Sequence, residues 1–368
     1  PQTEEARAEA EELLKVQEHV KSPKMGGPIV GMLQDYVSGL YLLTQEDMEL
    51  SREKAFNLLA EAGEHEKSLP EGKEKVTGRE LVSLFIPDDI SLTINEGEEN
   101  NVVIEDGELV EGILDEGALG DYGGEIIQQL KIQYGSEKVT EFLNRVSRIG
   151  AVYLTRRGFS INQTVEDADQ VIENYREGEM EPITGKTLDE TREIRMTQTL
   201  NNVFTDIGEI IRENVNEESS AYTMADSGAR GSMENVTTMA GLMGQNSVRD
   251  QRINRGYKDR TTSHFKKDEL SPKARGFVSS NILEGMDAQE IFFHQMAQRK
   301  ALMDKSLRTK TSGYMYRRLS NSLQELTVRE DQTVRNAQDD IIQFRAGEDG
   351  IDPQKSDRGM ISTEIETN

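Results

Sequence analysis

Residues 286–325 read MDAQEIFFHQMAQRKALMDKSLRTKTSGYMYRRLSNSLQE, and no proline interrupts them. The pattern predicts a single helix, which at about 1.5 Å per residue would run on the order of 55–60 Å. That exceeds an ordinary packing helix and suggests a beam across a cleft. Asp287 is placed to cap it, with Glu290 three residues on as the capping-box partner. Between Arg299 and Arg318 stand Arg299, Lys300, Lys305, Arg308, Lys310, Arg317 and Arg318 against one acid, Asp304. Phe292, Phe293 and Tyr314 interleave with the charges.

The rest of the chain has the opposite sign. The 368 residues carry a formal net charge of −25. Residues 1–120 hold 28 acids and 10 bases, whereas residues 249–318 hold 16 bases and 8 acids. The average argues against a polyanion partner, but a partner feels the local field, which is cationic here. The acidic excess elsewhere reads as a solubility or high-salt adaptation.

Length allows one to three domains with sizeable cores. The absence of cysteine leaves no disulfide and no thiolate metal site, which fits a reducing cytoplasm. His19, His65, His264 and His294 are never spaced as paired ligands, so a zinc site is not expected. No apolar run approaches 18 residues and no signal peptide opens the chain, so the expectation is a cytoplasmic protein without membrane contact. The start at Pro1, without methionine, suggests a piece of a longer polypeptide.

Along the chain, a charged helix is expected over 3–20, broken by SPKMGGP, then an apolar stretch from Ile29 to Thr44. A helix over Ser51–Ala62 ends at Gly63, and 78–87 reads as helical. Residues 89–114 suggest short strands around an Asp106-Gly107 turn. Two helices over 123–157 part near Gly135-Ser136. Thr187–Asn216 reads as an amphipathic helix with Ile194, Leu200, Val203, Ile207 and Ile211 as its stripe. After SGARGS (227–232) come a helix through Gly244, a basic loop from Arg249 to Arg275, and the beam. Strand-like runs at Leu326–Val328 and Ile341–Phe344 precede a polar tail over 350–368. The fold class is α+β, multi-domain, dominated by long helices.

No phosphate-binding loop, nucleophile elbow or metal-spaced histidine cluster is present. Asp88-Asp89 follows Pro87 at an element boundary, where turn or cap duty outweighs catalysis. SGARGS is compatible with a backbone nest for an anion, and equally with a turn that caps the next helix through Ser232. His294 reads as a packed helix histidine rather than a base.

EIFFHQMAQR (290–299) and TKTSGYMYRRL (309–319) closely resemble the bridge helix of the largest subunit of multisubunit RNA polymerases. MADSGARGSMENVTTMAGLMGQNSVRDQRI (224–253) is similar to that subunit's funnel segment, and RTTSHFKKDELSPKARGFVSSNILEG (260–285) to the stretch leading into the bridge. Residues 1–44 resemble the segment just after the family's catalytic loop, and IIQFRAGEDGIDP (341–353) the segment downstream of the bridge. The ending is similar to the archaeal form, split into two polypeptides.

The resemblance implies a domain plan: residues 1–24 as the tail of the active-site domain, 25–185 as a pore domain with small strands, 186–280 as the funnel, and 281–368 as the bridge and start of the cleft domain. It implies template-directed RNA synthesis by two metal ions. The magnesium-binding aspartates, on an N-A-D-F-D-G-D loop, would lie before Pro1 and outside this chain, which alone would be inactive. The implied partners are the second-largest subunit, the second piece of the largest subunit, template DNA, RNA and nucleoside triphosphates. By matching positions, Thr309, Lys310, Gly313, Tyr314, Arg317 and Arg318 would face the template or cleft, and Arg299 and Asp304 would support the helix. Ser227, Gly228, Gly231, Gln245 and Ser247 would line the funnel. Against this stands a bland alternative in which the arginines form a solvated face, Tyr314 is core and Gly313 a tolerated flaw.

There are departures. The family usually has glycine or another small residue at the positions of Ala297 and Gln298, and glycine at Ala301. Lys310 replaces a small residue, and Lys305-Ser306 a Thr-Ala pair. Losing helix glycines stiffens a helix by roughly 0.5–1 kcal/mol per site. In the family, bending of the bridge accompanies translocation, so altered elongation is expected. Two function classes remain: a working polymerase component, or a non-catalytic, polymerase-derived scaffold that binds nucleic acid or polymerase subunits.

Overall fold

The computed structural model describes residues 1–70, 72–94, 100–161, 190–249, 251–254 and 256–356. Its helices and small antiparallel sheets make it α+β, as the sequence predicts. The chain forms two compact units, one of residues 1–161, 223–231 and the chain from Arg345, the other of 162–222 and 232–344.

The first unit begins with α1 (Glu4–Glu12), capped by the Thr3 hydroxyl. The helix predicted to reach residue 20 stops at Leu13, and a 3-10 turn, Val16–His19, comes next. Helix α2 (Asp35–Leu43) is buried nearly all round. Strand β1 (Glu49–Ser51) runs into α3 (Arg52–Glu61), capped by Ser51, and pairs antiparallel with β2 (Lys75–Thr77). Helix α4 (Gly78–Ser83) starts with a Thr77–Glu80 capping box. A three-stranded meander comes next: β3 (Leu92–Ile94), β4 (Val102–Glu105) and β5 (Glu108–Glu111). Asp106 and Gly107 both have positive φ, 46° and 78°, as the tight hairpin between β4 and β5 requires. After the short α5 (Glu116–Leu119) comes α6 (Glu125–Arg157), whose helical course breaks at Gly135 (φ 77°, ψ −173°), where the sequence places its division.

The core centres on α2 against α6. A Cβ at Gly39 would lie 2.3 Å from the Gly150 carbonyl oxygen, so the two backbones meet where neither residue has a side chain. Asp88 and Asp89 occupy a turn closed by the Ile90 N–H to the Pro87 carbonyl, the structural duty expected of them. The predicted polar tail is partly built in: Ser356 is buried, the Lys21 ammonium donates to its carbonyl at 2.6 Å, and the Gln354 amide donates to the Lys21 carbonyl. Residues 357–368 of that tail lie outside the described residues, as do 162–189.

The second unit is organised by α7 (Glu190–Asn214). Leu200, Val203, Ile207 and Ile211 are buried as predicted, but Ile194 is 58% exposed and Met196 takes its place. Residue 196 continues the i, i+4 spacing back from Leu200, whereas residue 194 falls on the opposite side of the helix. Helix α8 (Ser220–Asp226) leads the chain into the first unit, which holds the SGARG turn, and α9 (Met233–Ala240), again of the second unit, packs on α7. Helix α9 ends at Ala240, four residues before its predicted limit, because Gly244 enters strand β6 (Gly244–Gln245). The hairpin of β7 (Ser247–Val248) and β8 (Gln251–Arg252) is next, and β6 pairs with β9 (Phe277–Val278). Then comes α10 (Ala288–Leu323), and a sheet of β10 (Thr327–Val328), β11 (Val334–Arg335) and β12 (Ile341–Gln343). The middle strand of that sheet sets one valine beside Arg335 and Asn336, so no apolar run marks it in the sequence.

Candidate nucleic-acid interface

Helix α10 is one unbroken element of 36 residues, about 54 Å long. Its start is fixed by side chains. The Asp287 carboxylate accepts the N–H groups of Gln289 and Glu290 at 2.9 Å each, and Glu290 returns to the Asp287 N–H at 3.0 Å. Lys273 donates to the outer oxygen of Asp287 at 2.7 Å, which with the backbone donors holds that carboxyl below its usual range. Phe293, 1% exposed, stacks against Phe265 with ring centroids 6.1 Å apart. His294 meets the Asn246 side-chain carbonyl at 3.3 Å, the packed role expected of it. Only Glu290 and Phe293 of the helix are buried, and β7 and β9 hold this first stretch.

Beyond that base the helix is uncovered among the described residues. Every residue from Lys305 to Glu325 is exposed. An unsupported helix is marginal in water, and one carrying exposed Leu307, Met315, Tyr316 and Leu319 among arginines is built to be covered.

The six predicted template-facing residues fall in two adjacent rows at i, i+4 spacing: Thr309, Gly313 and Arg317, then Lys310, Tyr314 and Arg318. All six are exposed. The Arg318 guanidinium lies 4.5 Å from the Tyr314 ring centroid, a cation–π pair that presents charge and an aromatic edge together. Thr309 bonds back to the Lys305 carbonyl. A Cβ at Gly313 would meet nothing within 4 Å, so no contact among the described residues explains this glycine.

Asp304 pairs with Lys300 one turn back, and Arg308 and Arg249 add to the field that lowers its pKa. Its partner is thus on its own helix. Arg299 makes no hydrogen bond or ion pair among the described residues.

The funnel candidates divide between the two units. Gln245 pairs with Phe277 across β6–β9, and its amide donates to the carbonyls of Asn246 (2.8 Å) and Arg275 (3.0 Å). Ser247 is exposed on β7. Ser227 is buried, its hydroxyl donating to the Thr223 carbonyl at 2.6 Å. Gly228 and Gly231 have φ of 72° and 79°. The N–H groups of Gly228 and Arg230 go to the carbonyls of Ala225 and Met224, and that of Ala229 to the Ser227 hydroxyl. The carboxylate of Glu116 packs over Gly228. These donors are spent, so the turn is no anion nest; it leads into α9, where Ser232 and Asn235 form a capping box.

One arrangement escaped sequence reasoning. The Arg252 guanidinium, 2% exposed, holds the Glu193 carboxylate by Nε at 2.8 Å and Nη2 at 2.7 Å, keeping Glu193 below the ordinary carboxylate range. The residues are 59 apart in sequence, and no spacing rule reaches so far. Among the described residues no group of three or more acidic or histidine side chains is arranged to hold a metal, and no helix is long and apolar enough to cross a membrane.

The chain is thus a multidomain α+β protein whose longest helix is exposed along most of its length. Three consecutive family descriptions match it: RNA polymerase Rpb1 domain 3 over residues 19–164, domain 4 over 172–278 and domain 5 over 285–364. The chain belongs to the RNA polymerase Rpb1 family, the largest-subunit family. It is 42% identical to DNA-directed RNA polymerase subunit Rpo1N of Methanothermobacter thermautotrophicus, over 98% of this chain and 45% of that protein. The corresponding figures are 40%, 99% and 40% for Rpo1N of Halobacterium salinarum strain R1, and 36%, 98% and 46% for that of Thermococcus celer. The chain therefore spans less than half the length of these relatives.

Proposed function

We propose that the chain is the pore, funnel and bridge-helix portion of the largest subunit of an archaeal-type DNA-directed RNA polymerase. In this reading residues 1–24 close the active-site domain, 25–185 form the pore, 186–280 the funnel, and 281–368 carry the bridge into the cleft. Magnesium would be supplied with aspartates outside this chain, and the chemistry is nucleotidyl transfer in the assembled enzyme. Its partners are the other polymerase subunits, template DNA, RNA and nucleoside triphosphates, in the cytoplasm.

The observation that carries this reading is the double row Thr309/Gly313/Arg317 and Lys310/Tyr314/Arg318 on a helix that its own unit leaves uncovered. Cations within reach of phosphate, an aromatic edge and a glycine open to close approach suit contact with a nucleic-acid strand. The role of α10 is positioning: holding the template base in register contributes to rate without proton transfer.

The test is to reconstitute the polymerase with R317A/R318A and with Y314A. The expected result is loss of elongation at preserved assembly, with the arginine variant showing a shallower salt dependence of template binding. Wild-type elongation by both variants overturns the assignment of these rows to the template, and a wild-type reconstitution that assembles but does not elongate overturns the reading in favour of a polymerase-derived scaffold.

A further inference from the structure

Arg275 ends the 3-10 turn Lys273–Arg275 in the second unit, and it is 8% exposed. Its backbone is clamped: the carbonyl accepts from the Gln245 amide at 3.0 Å and from the Ile253 N–H at 3.1 Å. Its Nε donates to the Glu269 carbonyl at 3.1 Å. Among the described residues, no acceptor meets its two Nη groups, which nonetheless keep contact with solvent.

The neighbouring charges explain why the fork is left over. Arg252 has already taken the Glu193 carboxylate with two N–H groups, and it donates its third nitrogen to the Leu270 carbonyl at 3.4 Å. The carboxylate of Glu269 is occupied by the Lys266 N–H and the Ser271 hydroxyl. Two buried guanidiniums therefore share one carboxylate. Burial, and then the Arg252 charge, pull the pKa of Arg275 down; Glu193 and Asp268 offset this in part. A guanidinium does not escape by losing its proton, so such a group calls for an anionic acceptor. Its planar fork matches an oxyanion at two points. The surrounding segment, residues 249–275, carries nine bases and four acids, and its field draws polyanions in particular.

We propose that the Nη fork of Arg275 binds a phosphate group of a polyphosphate anion, held beside Gln245 at the base of the long helix. The identity of the anion rests on the polymerase reading, which supplies two sources: an incoming nucleoside triphosphate and the pyrophosphate released. Arg252 is a positioning residue here, keeping Glu193 from closing on Arg275.

The experiment is calorimetric titration of the full chain with sodium tripolyphosphate, ATP and pyrophosphate in separate arms. Wild type should bind tripolyphosphate saturably, and Arg275→Met should weaken it by at least about tenfold. Arg275→Lys, which keeps charge without the fork, should fall between. Lys258→Ala, an exposed cation of the same segment, should stay within about twofold. ATP binding as well as tripolyphosphate assigns the site to the incoming nucleotide; pyrophosphate binding with ATP excluded assigns it to the product. Circular dichroism melts establish that Arg275→Met is folded, and if it is not, Arg275→Lys carries the comparison. No saturable binding by wild type, unchanged binding by the Arg275 variants, or equal losses in Arg275→Lys and Lys258→Ala overturn the proposal. Binding is read on this chain alone, so its failure leaves the polymerase reading standing, and failed reconstitution leaves the site standing.

Discussion

The buried carboxylate of Glu290 accepts the Asp287 N–H at 3.0 Å, and so fixes the residue from which the 36-residue helix α10 is launched. The same carboxylate receives the hydroxyls of Ser280 at 2.8 Å and Ser279 at 3.4 Å. It ties the incoming loop and the helix start into one joint.

Removing that joint should cost more than an ordinary cap. Glu290→Ala takes the acceptor from three part-buried hydrogen bonds, at about 0.5–1.5 kcal/mol for each bond lost. Urea unfolding of the full chain should show a lower midpoint. A midpoint equal to that of wild type would mean the helix start is held by Phe293 packing alone.

Two glycines should respond oppositely to alanine. Gly26 sits at φ 73°, and a Cβ there would lie 2.3 Å from the Pro353 carbonyl oxygen, so Gly26→Ala should lower the melting temperature clearly. Gly313 has open space around it, so Gly313→Ala should raise helix stability by up to about 1 kcal/mol. If this glycine serves close approach of a template strand, the stabilised variant should nonetheless elongate poorly once reconstituted. Normal elongation would return Gly313 to the status of a tolerated flaw.

The Arg252–Glu193 pair should set an acid limit for the second unit. Glu193 has a folded pKa below its unfolded one, so its contribution is full above about pH 4.3 and is lost as pH falls through the folded value. Glu193→Gln should melt at lower temperature near neutrality, and the gap to wild type should close as the pH drops. A constant gap down to pH 3 would contradict the linkage.

Ala297, Gln298 and Ala301 lie within the regular course of α10. Replacing all three with glycine should weaken the helix by roughly 0.5–1 kcal/mol at each site. In a reconstituted enzyme, pausing and elongation rates should shift toward those of a glycine-bearing bridge. Identical rates would remove helix stiffness from the account of this chain.

The long helix was legible because its signals are local: an Asp-x-x-Glu box, no proline, and an uninterrupted run of helix formers. The break at Gly135 and the Asp106-Gly107 hairpin were legible for the same reason, since each turns on a backbone conformation that glycine allows. Ile194 misled because an isoleucine near an apolar stripe looks like part of it until the angle is counted. The Arg252–Glu193–Arg275 arrangement was invisible, because the three residues come together only when β8, α7 and a 3-10 turn are folded. The rows on α10 could be named from resemblance, but that they are exposed among the described residues is a property of the fold.

The bond from the Lys21 ammonium to the Ser356 carbonyl joins positions 335 residues apart within the first unit. A ribosome delivers the first of these long before the last. The early helices of this unit can form as they emerge, but the turn at Pro353 that covers Gly26 arrives only after the whole second unit has been made. Until then the glycine-rich stretch around Gly26 waits for its cover, and that contact closes late in the synthesis of the chain.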